Sequence, residues 1–497
     1  MTKTITVAYG DGIGPEIMES TIEILKNAKA DINFDIIEVG KKIYEKGFDS
    51  GLMPSAWQSL DNNKVLLKAP ITTPQGGGYK SLNVTMRKKL GLYANIRPIA
   101  SFYPFVTTKF PKMDVVIIRE NEEDLYTGIE HRQSVNSYQC LKIVTREGCE
   151  KIVRYAFEYA LNNNRKKVTC FSKDNIMKMT DGLFHKVFNE IALEYPEIET
   201  DHYIIDIGTA RLASKPEIFD VIVTLNLYGD IISDVVAETS GSVGLAGSAN
   251  IGLNHAMFEA IHGSAPDIAD QDIANPTGLI QASIMMLIHI GQNEVAQNIR
   301  NALFKTIEDG IHTADIFNEK TSTKKVGTKE FTQYVVQNLG QKPKQLPIAD
   351  FANTTKNSNK VARQSSLITK DIKKTLIGFD LFIDWQNDFD SLLTILKAME
   401  SDIFEVKAIS QKGLLLWPLM DSHMMPNFYK TPVVLRFIGK GIVKKSSTNI
   451  IDKEKNIKHE NIIEMLGILN DKSFDFIKYE GLYQFDGEAG YSAIQGE

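Results

Sequence analysis

Cysteine is scarce in this chain. Three in 497 residues (Cys140, Cys149 and Cys170) show no metal-ligand spacing, and an odd count argues against a disulfide framework. Long apolar runs are missing too. The most apolar stretch, near Ile280–Ile290, is broken by Gln281, Ser283 and His289 and is too short to span a bilayer, so no membrane partner is expected. Positive charge is not in excess: the formal balance is −6, which offers no basic footprint for nucleic acid. The opening residues, Met1-Thr-Lys-Thr-Ile-Thr-Val, run straight into a strand pattern, with no apolar leader or Arg/Ser-rich transit segment. A reducing cytoplasm is therefore the expected location. There is no internal repeat and no low-complexity tract. What is present, 43% apolar and 24% charged residues, is the composition of a globular protein, and 497 residues imply two to four structural units.

Over the first three hundred residues, short strand-like runs alternate with helical ones, which predicts an α/β layered fold. Ile5, Val7 and Tyr9 alternate, Gly10-Asp-Gly-Ile-Gly14 turns, and Pro15 suits the first turn of a helix whose Met18, Ile22 and Leu25 share a face. Further strands are expected at Val65–Ala69, Val115–Arg119, Val168–Ser172, His202–Ile207 and Val221–Leu225. The stretch from Leu346 to Ser366 is polar and loses apolar periodicity, as a linker does. Beyond it, strand and helix patterns follow in the order βαββαβ, which predicts an α+β, ferredoxin-like domain with its helices on one face.

The chemistry is carried by a few segments. Asn226-Leu-Tyr-Gly-Asp-Ile-Ile-Ser-Asp234 follows a buried-looking strand and sets two carboxylates four residues apart. On a helix they share one face about 5–6 Å apart and repel. A hard divalent cation such as Mg²⁺ or Mn²⁺ would reverse the sign; taken alone, an exposed acidic helix start is the commoner case. Arg87, Arg97 and Arg119 sit in segments that otherwise look buried. Guanidinium forks bind carboxylates bidentately, so the three fit a small polyanionic substrate, or else three separate salt bridges. Gly10-Asp-Gly-Ile-Gly-Pro15 is not a dinucleotide fingerprint: the spacing is G-x-G-x-G-P, and a tight strand-to-helix turn accounts for it.

Together, Gly10 to Pro15, Ser81 to Arg87, Arg119-Glu-Asn, Lys173-Asp-Asn-Ile-Met-Lys, Asn226 to Asp234 and Glu259-Ala-Ile-His-Gly-Ser-Ala-Pro266 resemble the isocitrate/isopropylmalate dehydrogenase family, from Thr4 to about Leu339. Ser81 and Asn83 are similar to the isocitrate branch rather than to the sibling enzymes for 3-isopropylmalate or homoisocitrate. The last unit is similar to the extra C-terminal domain of the Thermus/Rickettsia type. The resemblance implies a non-Rossmann fold of two domains sharing a central sheet. The large domain is 1–92 and 241–345 and holds the coenzyme pocket. The small domain is 93–240 and holds the substrate and metal site, with a dimer clasp at about 124–145. A linker at 346–366 and a C-terminal domain at 367–497 follow. The implied reaction is the citric acid cycle's oxidative decarboxylation of isocitrate to 2-oxoglutarate with Mg²⁺ or Mn²⁺, in a homodimer or a tetramer.

The resemblance also implies roles. Ser81, Asn83, Arg87, Arg97 and Arg119 would hold the substrate carboxylates. Tyr126 would protonate the enolate, and Lys173 would help remove the hydroxyl proton. Asp230 and Asp234 would bind the metal with Asp206 of the other subunit, which would also supply Lys173. Thr73, His262, Gly263, Ser264, Ala265, Asp267, Ile268 and Asn275 would line the coenzyme pocket. In NADP-using relatives the residues after the Pro266 position are similar to Lys-Tyr; here they are Asp267-Ile268. Ala314 and Asn318 replace a second phosphate-reading pair. A carboxylate would accept ribose hydroxyls and repel a 2′-phosphate by roughly 4 kcal/mol before screening, so NAD is expected over NADP by about tenfold, with Lys320, Lys324 or Lys325 able to soften that preference.

Overall fold

The structure is a computed structural model in which residues 2–48, 51–73, 81–351, 371–399, 401–418, 431–441, 443–445, 448–450 and 457–495 are described. The chain forms two units, Met1–Thr127 with Lys142–Ser365 and Gly128–Leu141 with Ser366–Glu497. In chain order the strands up to the middle of the sequence are β1 (Lys3–Ala8), β2 (Ile32–Ile37), β3 (Val65–Lys68), β4 (Ala94–Ala100), β5 (Asp114–Glu120), β6 (Glu130–Ser134), β7 (Ser137–Cys140), β8 (Lys167–Ser172), β9 (Glu199–Ile204), β10 (Val221–Thr224), β11 (Gly247–Ile251) and β12 (Ala256–Ala260).

In the first unit ten of these make one sheet in the order β2-β1-β3-β12-β11-β4-β5-β10-β8-β9. The flanks pair in parallel, while β12–β11, β11–β4 and β4–β5 are antiparallel. That mixed centre is incompatible with a doubly wound dinucleotide fold. The inner strands β3, β5 and β10 are buried on both faces, which is why they read as apolar runs, while the edge strands β2 and β9 are half exposed. Val116, Ile118, Val168, Cys170, Val221 and Val223 face one core, and Val115, Ile117, Phe171 and Ile222 face the other.

Two boundaries differ from the sequence reading. The strand expected at His202–Ile207 is β9, and it stops at Ile204; a helix, Ile205–Ser214, starts immediately after it. The run Ile204, Ile205, Ile207 hides the junction, because its apolar residues serve strand and helix alike. Leu346 to Phe351 are not linker: Ala349 N–H donates to Asn301 Oδ1 at 2.8 Å, Phe351 N–H donates to Gln297 Oε1 at 3.1 Å, and Leu346 is buried in the main core. The rest of the expected linker, residues 352–366, lies outside the described residues. Two short strands, β13 (Ile311–His312) and β14 (Lys324–Lys325), pair in parallel nearby.

In the second unit β6 and β7 form an antiparallel hairpin. The C-terminal strands are β15 (Lys374–Ile383), β16 (Phe404–Gln411), β17 (Leu414–Trp417), β18 (Val433–Gly439), the small hairpin β19 (Val443–Lys445) and β20 (Thr448–Ile450), β21 (Phe476–Phe485) and β22 (Glu488–Ala489). The sheet is wholly antiparallel, ordered β17-β16-β18-β15-β21-β22. Helices Phe389–Lys397 and His459–Asp471 share one apolar cluster with Phe379, Leu381 and Phe437, so both cover the same face. The βαββαβ expectation therefore holds for β15, β16, β18 and β21, with β17 added at one edge and β22 at the other.

No helix among the described residues is long and apolar enough to cross a membrane.

Candidate active site

The motif that opens with Asn226 is built around Arg119. Arg119 ends β5 and is 1% exposed. Asn226, at the start of helix Asn226–Thr239, accepts from its Nε through both the main-chain oxygen (2.9 Å) and Oδ1 (3.1 Å), and from its Nη2 through Oδ1 at 2.8 Å. Gly229 lies one turn on, and a Cβ there would stand 2.5 Å from the Arg119 Cγ, so the position must be glycine. One residue further, Asp230 Oδ1 accepts from Arg119 Nη1. Asn226, Gly229 and Asp230 are thus a socket for one arginine.

Arg97 enters from β4. Its Nε donates to Asn95 Oδ1 at 2.6 Å, Nη1 donates to Ser233 Oγ, and Nη2 reaches Asp230 Oδ1 at 3.3 Å. Tyr126, on a 3₁₀ turn, donates its hydroxyl to Asp230 Oδ2 at 2.5 Å, and Arg119 lies 4.9 Å from its ring centre. Asp230 therefore holds two buried guanidinium groups and one phenol. Burial alone would raise its carboxyl, but Arg119, Arg97 and the Tyr126 bond outweigh this and hold it below the usual range. Burial raises the Tyr126 phenol, so it stays protonated at neutral pH. Burial and Arg97 bring Arg119 down to about 10, still charged at neutral pH.

Asp234, one turn from Asp230, has no hydrogen bond or ion pair to any described residue. It is exposed by area yet crowded by protein, as in an open cleft, and burial together with Asp230 raises its carboxyl above the usual range. Two acids on one helix face, one of them unpartnered, are a donor set that fits a hard divalent cation.

On helix Leu82–Lys89, Asn83 and Arg87 lie four residues apart and share a face. Arg87 Nη2 donates to Glu259 Oε1 at 2.9 Å, and Glu259 also binds Lys68 at 2.7 Å. Among the described residues, Arg87 Nε and Asn83 Oδ1 are buried without a partner, as groups awaiting a ligand are. Ser81, just before the helix, accepts from Thr73 Oγ1 at 3.3 Å.

Lys173 and Asp206 are brought to each other, at 2.9 Å, and no described hydrogen bond or ion pair links either to Tyr126, Asp230 or Asp234. The Lys173 main chain is pinned by Asp181 Oδ2 at 2.7 Å, and Asp181 in turn binds Lys142, which also reaches Asp124 at 3.5 Å. Sequence reasoning missed this buried chain of charges. Asp124 is hidden in the acidic run Glu120-Asn-Glu-Glu-Asp124, so its sequence context gave no sign of it.

The glycine turn is locked against the His262–Ile268 loop, for which the sequence implied a coenzyme pocket. Ile13 N–H donates to Ser264 O at 2.9 Å, and a Cβ on Gly12, whose φ is +60°, would meet that same oxygen at 2.0 Å. Thr72 Oγ1 meets Ser264 Oγ at 2.8 Å. Asn275 Nδ2 donates to Asp315 Oδ2 at 3.0 Å, and Ser242 donates to the same oxygen at 2.5 Å. Asp315 is a further residue the sequence reading passed over. Burial lowers the His262 imidazole, and its Nε2 has no partner among the described residues. Gly263, Ala265, Asp267 and Ile268 continue this loop, with Pro266–Ile268 as a single 3₁₀ turn.

A mixed ten-stranded sheet with a basic pocket facing paired acids, and beside it a loop cluster closed by a glycine turn, defines an α/β enzyme for small polyanions outside the Rossmann class. The chain belongs to the isocitrate/isopropylmalate dehydrogenase family, whose profile matches residues 4–335, and the bacterial isocitrate dehydrogenase C-terminal domain matches residues 374–497. It is 58% identical over 494 residues to isocitrate dehydrogenase [NADP] of Rickettsia bellii (99% of each chain) and 36% identical over 505 residues to that of Thermus thermophilus (100% of this chain, 96% of the other). The crystal structure of TT0538 protein from Thermus thermophilus superposes with a TM-score of 0.90 at 35% identity, covering 99% of this chain and 96% of that one.

These names overturn the expected NAD preference: the relatives that match along the full chain are named for NADP. The physical reason lies in Asp267. Its side chain is exposed, so its repulsion of a phosphate is screened to far less than the unscreened figure. Lys320 and Lys325 are exposed too, before and on β14, and offer compensating charge, whereas Lys324 is paired with Glu330.

Proposed function

We propose that the protein is a homodimeric, NADP-using isocitrate dehydrogenase that oxidises isocitrate and decarboxylates it to 2-oxoglutarate and CO₂. The observation that carries this reading is the buried guanidinium pair, Arg97 and Arg119, beside the orphaned Arg87 Nε and Asn83 Oδ1. Three cations and two short polar side chains suit three carboxylates. Asp230 and Asp234 would hold Mg²⁺ or Mn²⁺, with Asp206 of the other subunit; bound there, the ion would acidify the substrate hydroxyl and stabilise negative charge on the neighbouring oxygen.

The chain's own groups do the rest. The arginines orient the carboxylates so that the carbinol hydrogen faces the coenzyme pocket. Lys173 of the other subunit helps to take the hydroxyl proton as hydride leaves. Tyr126 keeps its proton at neutral pH because of burial and would deliver it to carbon after CO₂ departs. Lys173 pairs with Asp206 rather than with its own Asp230 and Asp234, which supports a dimer that completes the site. Helices Ile205–Ser214 and Asn226–Thr239 also present Ile207 and Ile231, 47% and 52% exposed, as an apolar face for a second copy.

The deciding experiment measures kcat/KM for isocitrate and 3-isopropylmalate with NADP and NAD, Mn²⁺ present. Isocitrate with NADP should be the best combination. Faster turnover of 3-isopropylmalate would overturn the substrate, and higher efficiency with NAD would overturn the coenzyme.

A further inference from the structure

Outside the site just described, Asp174, His185 and His202 meet at the end of β8. Asp174 follows Lys173 in sequence, His185 lies on helix Thr180–Ala192, and His202 is on β9. The His185 and His202 rings stack at 3.7 Å between centres and 13° between planes. His185 Nδ1 is 2.7 Å from Asp174 Oδ2, His202 Nε2 is 3.9 Å from Asp174 Oδ1, and His202 Nε2 also meets Ser172 Oγ at 2.8 Å. One ligand atom from each of the three lies within 4.8 Å of the others. All three side chains are 22–25% exposed, and His185 borders a shallow surface depression of about 430 Å³ lined by Gly182, Lys186, Asn189, Glu190 and Leu193, which gives an entry path.

We propose that Asp174, His185 and His202 form a second cation site, distinct from Asp230 and Asp234, that takes a borderline transition ion such as Zn²⁺. The argument is one of ligand chemistry. Two imidazole nitrogens and one carboxylate are the donors of open three-ligand zinc sites, with water as the fourth. Mg²⁺ prefers all-oxygen shells, so the two sites divide cations by softness. Ligation needs the rings to splay from their parallel stack, toward the open side at the depression. Because Asp174 adjoins Lys173, a bound ion would fix the turn that carries that lysine.

The test uses the full chain carrying Asp234→Asn, so that the oxygen site is weakened, titrated with Zn²⁺ in millimolar Mg²⁺ by calorimetry. One Zn²⁺ per chain should bind. His185→Gln and His202→Gln should each lower the affinity by about tenfold or more, ~1.4 kcal/mol. Proton NMR of the folded protein should show ring signals of two of the nine histidines moving with Zn²⁺ and not with Mg²⁺. Absence of Zn²⁺ binding in the parent chain overturns the proposal whatever the variants do. So does binding that both histidine variants leave unchanged; the stack would then only staple the helix to β9.

Discussion

Asp230→Asn and Asp234→Asn should both abolish turnover by orders of magnitude, but only the first should weaken the fold. Asp230 accepts from Arg119, Arg97 and Tyr126, and the guanidinium side chains are 1% and 5% exposed. Removing one partner from a buried ion pair costs roughly 3–5 kcal/mol. The Asp230 side chain is itself 38% exposed, so solvent screens part of that loss and about 2 kcal/mol is expected. Asparagine keeps one acceptor for Arg119 and leaves the two arginines facing each other without an anion. Asp234 has no such partner, and its raised carboxyl already bears a cost of burial, so Asp234→Asn should stay within about 0.5 kcal/mol of the parent. Urea unfolding of both variants, without metal or substrate at pH 7, makes the comparison. The sign with pH is fixed as well. The Asp230 carboxyl is depressed in the folded state, so its stabilisation is present above the ordinary carboxylate range and is lost as pH falls below about 4. Coincident unfolding curves for the two variants at pH 7 would refute the reasoning.

Glu120 is 2% exposed, and burial lifts its carboxyl from 4.5 to about 7 despite main-chain hydrogen bonds from Glu122 and Glu123. Its ionisation opposes folding, so stability should decline as pH rises from about 4.5 to 7. Glu120→Gln should flatten that decline by up to about 3 kcal/mol, and an unchanged pH profile in the variant would count against it. Subunit exchange tests the shared site: Lys173→Ala mixed with Asp234→Asn should regain activity, since each hybrid holds one undamaged site, and no recovery after verified exchange would speak against sharing. Ending the chain at Phe351 should give a higher thermal midpoint than ending it at Gln345, because Asn301 and Gln297 hold the extra residues; equal midpoints would show those contacts to be idle.

The inner parallel strands were legible because burial on both faces writes itself as unbroken Val and Ile, as at Val115–Ile118 and Val221–Val223; the half-exposed edge strand β2 was not. The central antiparallel strands were not. β4 carries Asn95 and Arg97 at 0% and 4% exposure, and buried polar residues erase the apolar pattern that marks a strand. The paired acids and three arginines were visible as residue types. That Asn226, Gly229 and Asp230 all serve Arg119 was not, since Arg119 stands over a hundred positions away and only the fold joins them. The coenzyme expectation failed for a related reason: a sequence shows the sign of Asp267 but not how much water surrounds it.

Asp230 occupying the arginines has a further consequence. The protein already contains its own competing anion, tethered in place at a high effective concentration. A stray monovalent anion must displace that tethered carboxylate and gains little by doing so. If Asp230 and Asp234 hold the cation as proposed, an ion drawing Asp230 toward Asp234 would free Arg97 and Arg119 at the same moment, and a polycarboxylate taking the arginines would free Asp230 for the cation. By linkage, each must then raise the affinity for the other by the same factor. On this reading the pocket acts as a coincidence detector, opening to its two ligands together and staying shut to either one's imitators.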